Sequence, residues 1–394
     1  MRINIGGWVV ISLFLARINA AEFPLPVWRP QNVDTNIMIG YGLAIADVDG
    51  DRKKDILLAD KNLIVWYQNP TWQKHVIASN LTKLDHVCIA AADIDGDGKA
   101  EVAAGAGWNP SDTTNSGAVF YLHPRADRTQ PWEPIALEHE PTVHRMRWIQ
   151  LDSGKPALAM LPLHGRENKG GEGNGVRLLV YEKPADPKAK WNVTTIETSM
   201  HMTHNFDPVQ WDDRPSTELL IGGREGVFFF DLQRDGWLKQ QVCGNNPGEK
   251  DFIGAGEVRQ GRMGGKPGFI ATIEPMHGNQ FVIYTPPSEP NRLWKRTVLD
   301  SSLVDGHAVA CGDLAGKGYD QVVVGWRGRR PGESIGVKYF YSDEKAGNWK
   351  SAVIDDKEMA CEDLMLADLN EDGRLDIVAA GRSTKNVRIY WNEK

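Results

Sequence analysis

The chain has few cysteines and no helical patterning. Four cysteines among 394 residues are too few for the dense disulfide framework of small secreted domains. Two of the four lie inside strands of small residues, so we interpret them as buried free thiols. No stretch repeats apolar residues at a sustained period of 3.6. These features argue against a disulfide scaffold and predict few helices.

Only one long apolar run is present, at the start of the chain. It runs from Trp8 to Ala16, follows the basic Arg2 and ends before the small residue Ala20. This pattern predicts a secretory signal peptide over residues 1–20, and the run is too short to span a membrane. We therefore expect a secreted or periplasmic protein without a membrane span, with one domain over residues 21–394.

Basic residues are outnumbered by acidic ones. The formal net charge is -7, and removal of Arg2 and Arg17 with the signal peptide makes it -9. An acidic surface argues against nucleic acid as a partner.

Tryptophans recur along the whole chain, each at the start of a short strand-like segment. Self-similarity at such a unit size is typical of repeat architectures. The seven recurring residues are Trp28, Trp72, Trp132, Trp191, Trp237, Trp294 and Trp349.

Four strand patterns follow one another in each unit, which predicts an all-β, seven-bladed β-propeller with four antiparallel strands per blade. The chain stops after a third strand at Val387–Trp391, and the matching fourth strand begins at Trp28. We therefore expect the N-terminal strand to pair with the C-terminal blade and close the ring. A superhelical array of the same units would leave that strand unpaired.

Three units carry an Asp-rich loop after the first strand. Alternating carboxylates on a tight turn, with one more from the next strand, form an oxygen donor set that suits a structural Ca²⁺. The alternative is a set of Asx-type turns without metal. The predicted ligands are Asp47, Asp49, Asp51 and Asp55; Asp93, Asp95, Asp97 and Glu101; and Asp368, Asn370, Asp372 and Asp376.

These loops resemble the FG-GAP/VCBS repeat family of β-propellers. The resemblance is carried by ADVDGDRKKDILLAD, AADIDGDGKAEVAAG and LADLNEDGRLDIVAAG. It implies the propeller fold and says little about function, because such propellers serve in adhesion, ligand binding and catalysis.

Histidines fall at equivalent places ahead of several first strands. Counting back six residues from the first loop ligand should reach the mouth of the axial channel, on the face opposite the Asp-rich loops. The positions reached are Tyr41, Val87 with His86 beside it, His144, His204, Gly254, His307 and Glu362.

Imidazoles suit proton transfer near neutral pH, arginines grip carboxylates, and exposed tryptophans offer flat faces to sugar rings. The candidate catalytic residues are His144, His204, His86, His307, His164 and Tyr41. The candidate substrate-binding residues are Arg145, Arg166, His277, Trp108, Trp326, Arg327 and Glu362. Neutral imidazoles could also hold Zn²⁺ or Mn²⁺ at this pocket.

This inventory favours β-elimination on a carbohydrate. A base removes the proton alpha to a carbonyl or carboxylate, and a proton donor assists the leaving oxygen. Glycoside hydrolysis usually needs two opposed carboxyl groups, and this set holds one good acid, Glu362.

The segments EHEPTVHRMRW and LDHVCIAAADIDGDG resemble the propeller of the aldos-2-ulose dehydratase family. A looser similarity of architecture links the chain to propeller polysaccharide lyases. The resemblance implies an exported lyase or dehydratase acting on a keto sugar or uronate-containing saccharide. A non-catalytic, Ca²⁺-stabilised propeller that binds glycans or proteins, and a hydrolase built on Glu362, remain alternatives.

Overall fold

The computed structural model describes residues 25–233, 236–245, 252–289 and 292–393. The segment expected to be a signal peptide, residues 1–20, lies outside the described residues. Within the described ranges all regular structure is β, in 28 strands. No helix in this part of the chain is long and apolar enough to cross a membrane.

The strands form seven four-stranded antiparallel sheets in sequence order, one per blade. Blade one contains β2 (Gly42–Ala46), β3 (Asp55–Ala59), β4 (Leu63–Gln68) and β5 (Gln73–Ser79). Blade two contains β6 (Cys88–Ala92), β7 (Glu101–Ala106), β8 (Ala118–His123) and β9 (Glu133–Leu137). Blade three contains β10 (Val143–Gln150), β11 (Pro156–Pro162), β12 (Leu178–Glu182) and β13 (Asn192–Glu197).

The remaining blades repeat this order. Blade four contains β14 (Thr203–Val209), β15 (Glu218–Gly223), β16 (Gly226–Gln233) and β17 (Gly236–Cys243). Blade five contains β18 (Val258–Met263), β19 (Lys266–Glu274), β20 (Gln280–Thr285) and β21 (Lys295–Asp300). Blade six contains β22 (Gly306–Gly312), β23 (Gln321–Trp326), β24 (Gly336–Tyr341) and β25 (Lys350–Asp355). Blade seven contains β26 (Cys361–Ala367), β27 (Asp376–Gly381), β28 (Asn386–Glu393) and the N-terminal β1 (Val27–Asp34).

Ring closure by the N-terminal strand is confirmed. Strand β1 pairs antiparallel with β28, with Trp28 opposite Asn392. Because this pairing completes the last blade, it covers the strand edge that the third strand would otherwise expose.

In each blade, side chains are most buried in the second strand and become more exposed toward the outer strand. Strand β7 is small and apolar, with the sequence EVAAGA, and is buried along its whole length. The outer strand β21 is half exposed. The hydrophobic core lies between neighbouring blades, where Val65 and Tyr67 of blade one pack with Val378 and Ile389 of blade seven.

The first strands of the blades contact one another around the axis. Because each runs in the same sense, their starts meet on one face and their ends, which lead into the Asp-rich loops, meet on the other. This geometry separates the candidate catalytic residues from the candidate calcium ligands.

Candidate active site

Backbone bulges aim side chains into the mouth of the channel. The pairing register shifts at the second residue of β10, β14, β22 and β26. A β-bulge leaves one residue unpaired and redirects its side chain. The four residues at these bulges are His144, His204, His307 and Glu362.

Four imidazoles meet at this point. The ring centroid of His204 lies 4.7 Å from that of His144, 4.6 Å from that of His277 and 5.6 Å from that of His307. The centroids of His277 and His307 are 4.6 Å apart. Since His277 comes from the loop between β19 and β20, the group combines four blades. We call these four residues the histidine cluster.

Backbone carbonyls orient two of the rings. His144 Nδ1 lies 2.6 Å from the carbonyl oxygen of His204, and His307 Nδ1 lies 2.5 Å from that of Glu362. A carbonyl can only accept a hydrogen bond, so each Nδ1 carries the hydrogen and each Nε2 presents a lone pair. Arg145 Nη1 donates to His144 Nε2 at 2.9 Å, and Trp108 stacks on the His144 ring at 5.0 Å.

A directed chain of contacts crosses the cluster and ends on Glu257. Arg327 Nη2 lies 3.3 Å from His277 Nδ1, His277 Nε2 lies 2.6 Å from His204 Nε2, and His204 Nδ1 lies 3.3 Å from Glu257 Oε1. Because a guanidinium only donates and a carboxylate only accepts, every hydrogen along this chain points toward Glu257.

Glu257 is a buried, ionised carboxylate. Its side chain is 1% exposed, and its Oε2 accepts a hydrogen bond of 2.6 Å from Asn205 Nδ2. Burial would raise the pKa of Glu257, but the hydrogen bond from His204 and the charges of Arg259 and Arg145 outweigh burial and hold this pKa at about 2. The carboxylate is therefore charged and can stabilise a positive charge on His204.

The histidine cluster is neutral at physiological pH. Burial lowers the pKa of all four imidazoles. Arg145 lowers the pKa of His144 further, and Arg327 that of His307. Only His277 is partly exposed, so a substrate would reach the cluster at this ring.

A second group of charges borders His277. Arg327 Nε donates to Asp305 Oδ2 at 2.7 Å, and its Nη1 donates to Glu362 Oε2 at 2.5 Å. Arg382 Nη1 donates to the other oxygen of Glu362 at 2.9 Å. Glu362 is thus a partner of two arginines, which does not favour the general-acid role that a hydrolase would need.

Tyr41 joins this group from blade one. Its ring lies 5.4 Å from the Arg382 guanidinium, and its hydroxyl donates to Asp85 Oδ2 at 2.9 Å. Burial, followed by the hydrogen bond to Asp85, raises the pKa of Tyr41. The hydroxyl stays protonated, as a proton donor must.

Three predicted residues lie apart from the cluster. His86 is fully buried, and its Nε2 accepts the Leu81 N–H at 3.2 Å. His164 has a buried Nδ1 without a hydrogen-bond partner, and burial lowers its pKa. Arg166 lies on the surface, with Nε 3.3 Å from Glu140 Oε2.

The expectation that Trp326 offers an exposed face to a sugar does not agree with its position. Trp326 is 4% exposed and packs in the core between blades five and six with Phe281 and Phe340. Its indole N–H donates to Ser334 Oγ at 3.0 Å. A side chain enclosed in this way has no free ring face.

Sequence reasoning missed Glu257 because the fifth blade has a shortened turn. In blade five the count started from Gln260, taken as the equivalent of the first loop ligand. Met263 pairs directly with Lys266 across a two-residue turn, so Gln260 lies inside β18 and not at its end. Counting back from Gln260 therefore reached Gly254, three residues short of Glu257. The Gly264–Gly265 pair is the signal that could have revealed the short turn.

The opposite face carries carboxylate clusters in two of the three predicted loops. Ligand oxygens of Asp47, Asp49 and Asp55 lie within 4.8 Å of one another, as do those of Asp93, Asp95 and Glu101. Burial, which has the largest effect, raises the pKa of Asp55, backbone hydrogen bonds lower it, and nearby aspartates raise it. The pKa that results is about 7. Burial likewise raises the pKa of Glu101 to about 7. Carboxylates forced together in this way fit a divalent cation.

The third predicted loop is built differently. Arg374 Nη2 donates to Asp372 Oδ2 at 2.5 Å, and Asn370 Nδ2 donates to the same oxygen at 3.2 Å. Asp376 accepts the backbone N–H groups of Leu369 and Asn392. A guanidinium thus already compensates the charge of this loop.

Sequence comparisons agree with this architecture. Residues 116–287 match the model of the aldos-2-ulose dehydratase β-propeller domain. Residues 41–104 match an FG-GAP-like repeat and residues 89–122 an FG-GAP repeat. Parts of the chain are therefore similar to FG-GAP repeats and to the β-propeller domain of aldos-2-ulose dehydratase.

The aldos-2-ulose dehydratase of Phanerodontia chrysosporium is 25% identical over 324 residues, which is 75% of this chain and 34% of that protein. The chain therefore spans about a third of that relative's length.

Two solved structures align with this chain at low identity. A chain of the mitotic checkpoint complex aligns with a TM-score of 0.56 and 11% identity over 99% of both chains. An exo-type rhamnogalacturonan lyase aligns with a TM-score of 0.46 and 12% identity over 89% of this chain and 72% of its own. The first similarity shows the fold alone, and the second is too weak to bear on function.

Proposed function

We propose that this chain is a carbohydrate lyase or dehydratase that performs β-elimination on a keto sugar or uronate-containing saccharide. The observation that carries the proposal is the His277–His204–Glu257 chain at the mouth of the channel. The similarity to aldos-2-ulose dehydratase supports a carbohydrate substrate. That relative is 25% identical and is covered over 34% of its length, so its reaction is proposed for this chain.

The His204–His277 pair is the proposed base. His277 is the partly exposed member. Its Nδ1 lone pair, released from Arg327 when substrate binds, takes up the proton alpha to the carbonyl while the C–H electrons form the carbon–carbon double bond of the enolate, and its Nε2 proton passes to His204 Nε2. Glu257 stabilises the positive charge that results on the imidazole pair. The buried carboxylate offsets part of the loss of basicity that burial causes in His204.

Arg327 and Tyr41 complete the proposed elimination. Arg327 borders His277 and stabilises the enolate oxygen that develops. The β carbon–oxygen bond then breaks, its electrons leave with the oxygen, and the Tyr41 hydroxyl supplies a proton to that oxygen. The product contains a carbon–carbon double bond conjugated with the carbonyl.

A metal ion also fits part of the histidine cluster. Nitrogen atoms of His204, His277 and His307 lie within 4.8 Å of one another. His307 donates its other ring N–H to the Glu362 carbonyl, as metal-bound histidines usually do, and His204 Nδ1 faces Glu257. These three residues would hold Zn²⁺ or Mn²⁺, which would supply Lewis-acid stabilisation of an enolate.

Calcium is the proposed occupant of the first two Asp-rich loops. Their donor set consists of carboxylate oxygens, which Ca²⁺ prefers, and they lie on the face opposite the histidine cluster. Their proposed role is to stabilise blades one and two.

The decisive experiment is ultraviolet detection of a conjugated product from a panel of keto sugars and uronate oligosaccharides. We expect the wild-type chain to form it and His204→Ala to be slower by roughly 10²–10⁴-fold. His139→Ala is the matched control, because His139 precedes blade three but contacts only the Glu140 carbonyl. Hydrolysis without an absorbing product, or equal rates for wild type and His204→Ala, would contradict the proposal.

A further inference from the structure

We propose that a cleft between blades seven and one binds a saccharide ring, as an accessory site independent of the proposed elimination. The cleft has a volume of about 320 Å³. It borders the Asp-rich loop of blade seven and therefore lies on the face opposite the histidine cluster. We call it the indole cleft; its lining includes Gln31, Lys53, Trp72, Asn370, Glu371 and Trp391.

Two indoles form the apolar part of the cleft. The ring centroids of Trp72 and Trp391 are 6.3 Å apart, and the ring planes are inclined by 48°. The two rings make an apolar corner in which the half-buried Trp72 offers ring surface to a ligand and the buried Trp391 forms the base.

The repeat does not require a tryptophan at the position of Trp391. The strand register places Trp391 directly after Tyr390, which pairs with Ile377 as Tyr67 pairs with Ile56 in blade one. The corresponding residues of blades one, two, four and six are Gln68, His123, Asp231 and Tyr341. None of these four blades has an indole at this position, although blade six has another aromatic ring, that of Tyr341.

The cleft is held rigid by buried polar contacts. Trp391 Nε1 donates to Gln31 Oε1 at 2.8 Å, which fixes the orientation of the indole. The buried Asn69 side chain donates to the Leu369 carbonyl at 2.8 Å and so ties blade one to blade seven beneath the cleft. A preorganised site loses less entropy when a ligand binds.

Polar groups surround the indole corner. Lys53, Asn370 and Glu371 offer an ammonium group, an amide and a carboxylate around the rings. A pyranose ring matches this arrangement, since its C–H face can pack on an indole while its hydroxyl groups bond to the polar groups. The volume is at the small end of ligand pockets and suits one ring, whereas a stable protein partner would need roughly 800 Å² of surface.

The test is isothermal titration calorimetry with cellohexaose, maltohexaose and trigalacturonate. It is performed in the His204→Ala background so that turnover does not consume the probe. We expect at least one probe to bind, and Trp72→Ala to weaken that binding at least tenfold. Trp237→Ala is the matched control, because Trp237 is a partly exposed tryptophan of the same repeat outside the cleft.

Two variants at the margin of the cleft show whether a loss of binding is due to misfolding. Lys53→Ala and Glu371→Ala remove no buried group, and each should weaken binding at least threefold. The proposal is overturned if no probe binds, if Trp72→Ala and both margin variants bind as tightly as the parent, or if Trp237→Ala loses as much affinity as Trp72→Ala. Because binding is measured without turnover, failure here is distinct from failure of the proposed elimination.

Discussion

Burial shifts the pKa of ionisable groups in opposite directions at the two faces of the ring. At the mouth, burial lowers the pKa of basic imidazoles such as His144 and His307. In the Asp-rich loops, burial raises the pKa of acidic Asp55 and Glu101. Both shifts disfavour the charged form. The mouth supplies its own fixed charges, whereas the loops concentrate negative charge that a cation would neutralise.

This difference predicts that the faces can be disabled separately. Variants at the mouth should reduce turnover with little change in the response to Ca²⁺. Removal of Ca²⁺ should reduce stability with little change in the chemistry of the histidine cluster.

Apart from the loss of His204 itself, the largest expected effect is that of Glu257→Gln on turnover. Gln keeps the size of the side chain and an oxygen for Asn205, but it removes the negative charge that stabilises protonated His204. We expect kcat to fall by roughly 10–100-fold, as for other groups that act through a catalytic histidine. Steady-state kinetics of product formation measure this fall.

A merely structural role for Glu257 makes a different prediction. The pH dependence of kcat should change in Glu257→Gln, because the basicity of the imidazole pair depends on the carboxylate. Glu257→Asp should recover part of the rate. An unchanged pH profile together with a simple loss of thermal stability would assign Glu257 to structure alone.

The next effect is on stability after chelation. Each loop that binds Ca²⁺ adds about 2.7 kcal/mol when free Ca²⁺ is about 100 times Kd, so EDTA should lower Tm by several degrees. Asp93→Asn should reduce this response, since Asp93 belongs to a converging carboxylate cluster.

The seventh loop gives a comparison within the same face. Asp368→Asn should alter the response to Ca²⁺ less than Asp93→Asn, because Arg374 already pairs with Asp372 there. Equal responses of the two variants would show that all three loops bind Ca²⁺ alike, and no response of the wild type would remove the calcium proposal.

Sequence periodicity predicted the fold because every blade has the same surfaces to bury. Each blade must bury one strand edge and two sheet faces, so strands such as Leu63–Gln68 and Asn386–Glu393 recur with the same pattern, and Trp28 was correctly placed on the closing strand. The shared register also brought His144, His204 and His307 together. The β-bulges that point these side chains toward one another cannot be recognised from the sequence.

Two parts of the site could not be derived in this way. Glu257 was missed because a two-residue turn shifts the count by three residues, while the strand itself keeps its pattern. Trp326 was assigned to the surface because a loop-adjacent tryptophan and a core tryptophan look alike in a sequence. The substrate depends on the shape of the mouth, which several blades build jointly and no single repeat specifies.

The smallest and most discriminating effect is the sign of the pH dependence of stability. Without Ca²⁺, Glu101 has a folded pKa of about 7, above its unfolded value of about 4.3. The folded state therefore binds more protons between these values, and the stability that this group contributes falls as pH rises through that window. For His144 the folded pKa lies well below the usual value of a histidine, about 6.5, so the unfolded state binds more protons below that pH and the stability that this group contributes rises with pH.

Difference curves isolate the two contributions. In EDTA, between pH 4.5 and 6.5, Tm of the wild type relative to Glu101→Gln should fall with rising pH, whereas Tm relative to His144→Gln should rise, because Gln does not titrate. Saturating Ca²⁺ should abolish the first trend by stabilising the ionised carboxylate and leave the second unchanged. Two curves with the same slope would show that burial does not act with opposite sign at the two faces.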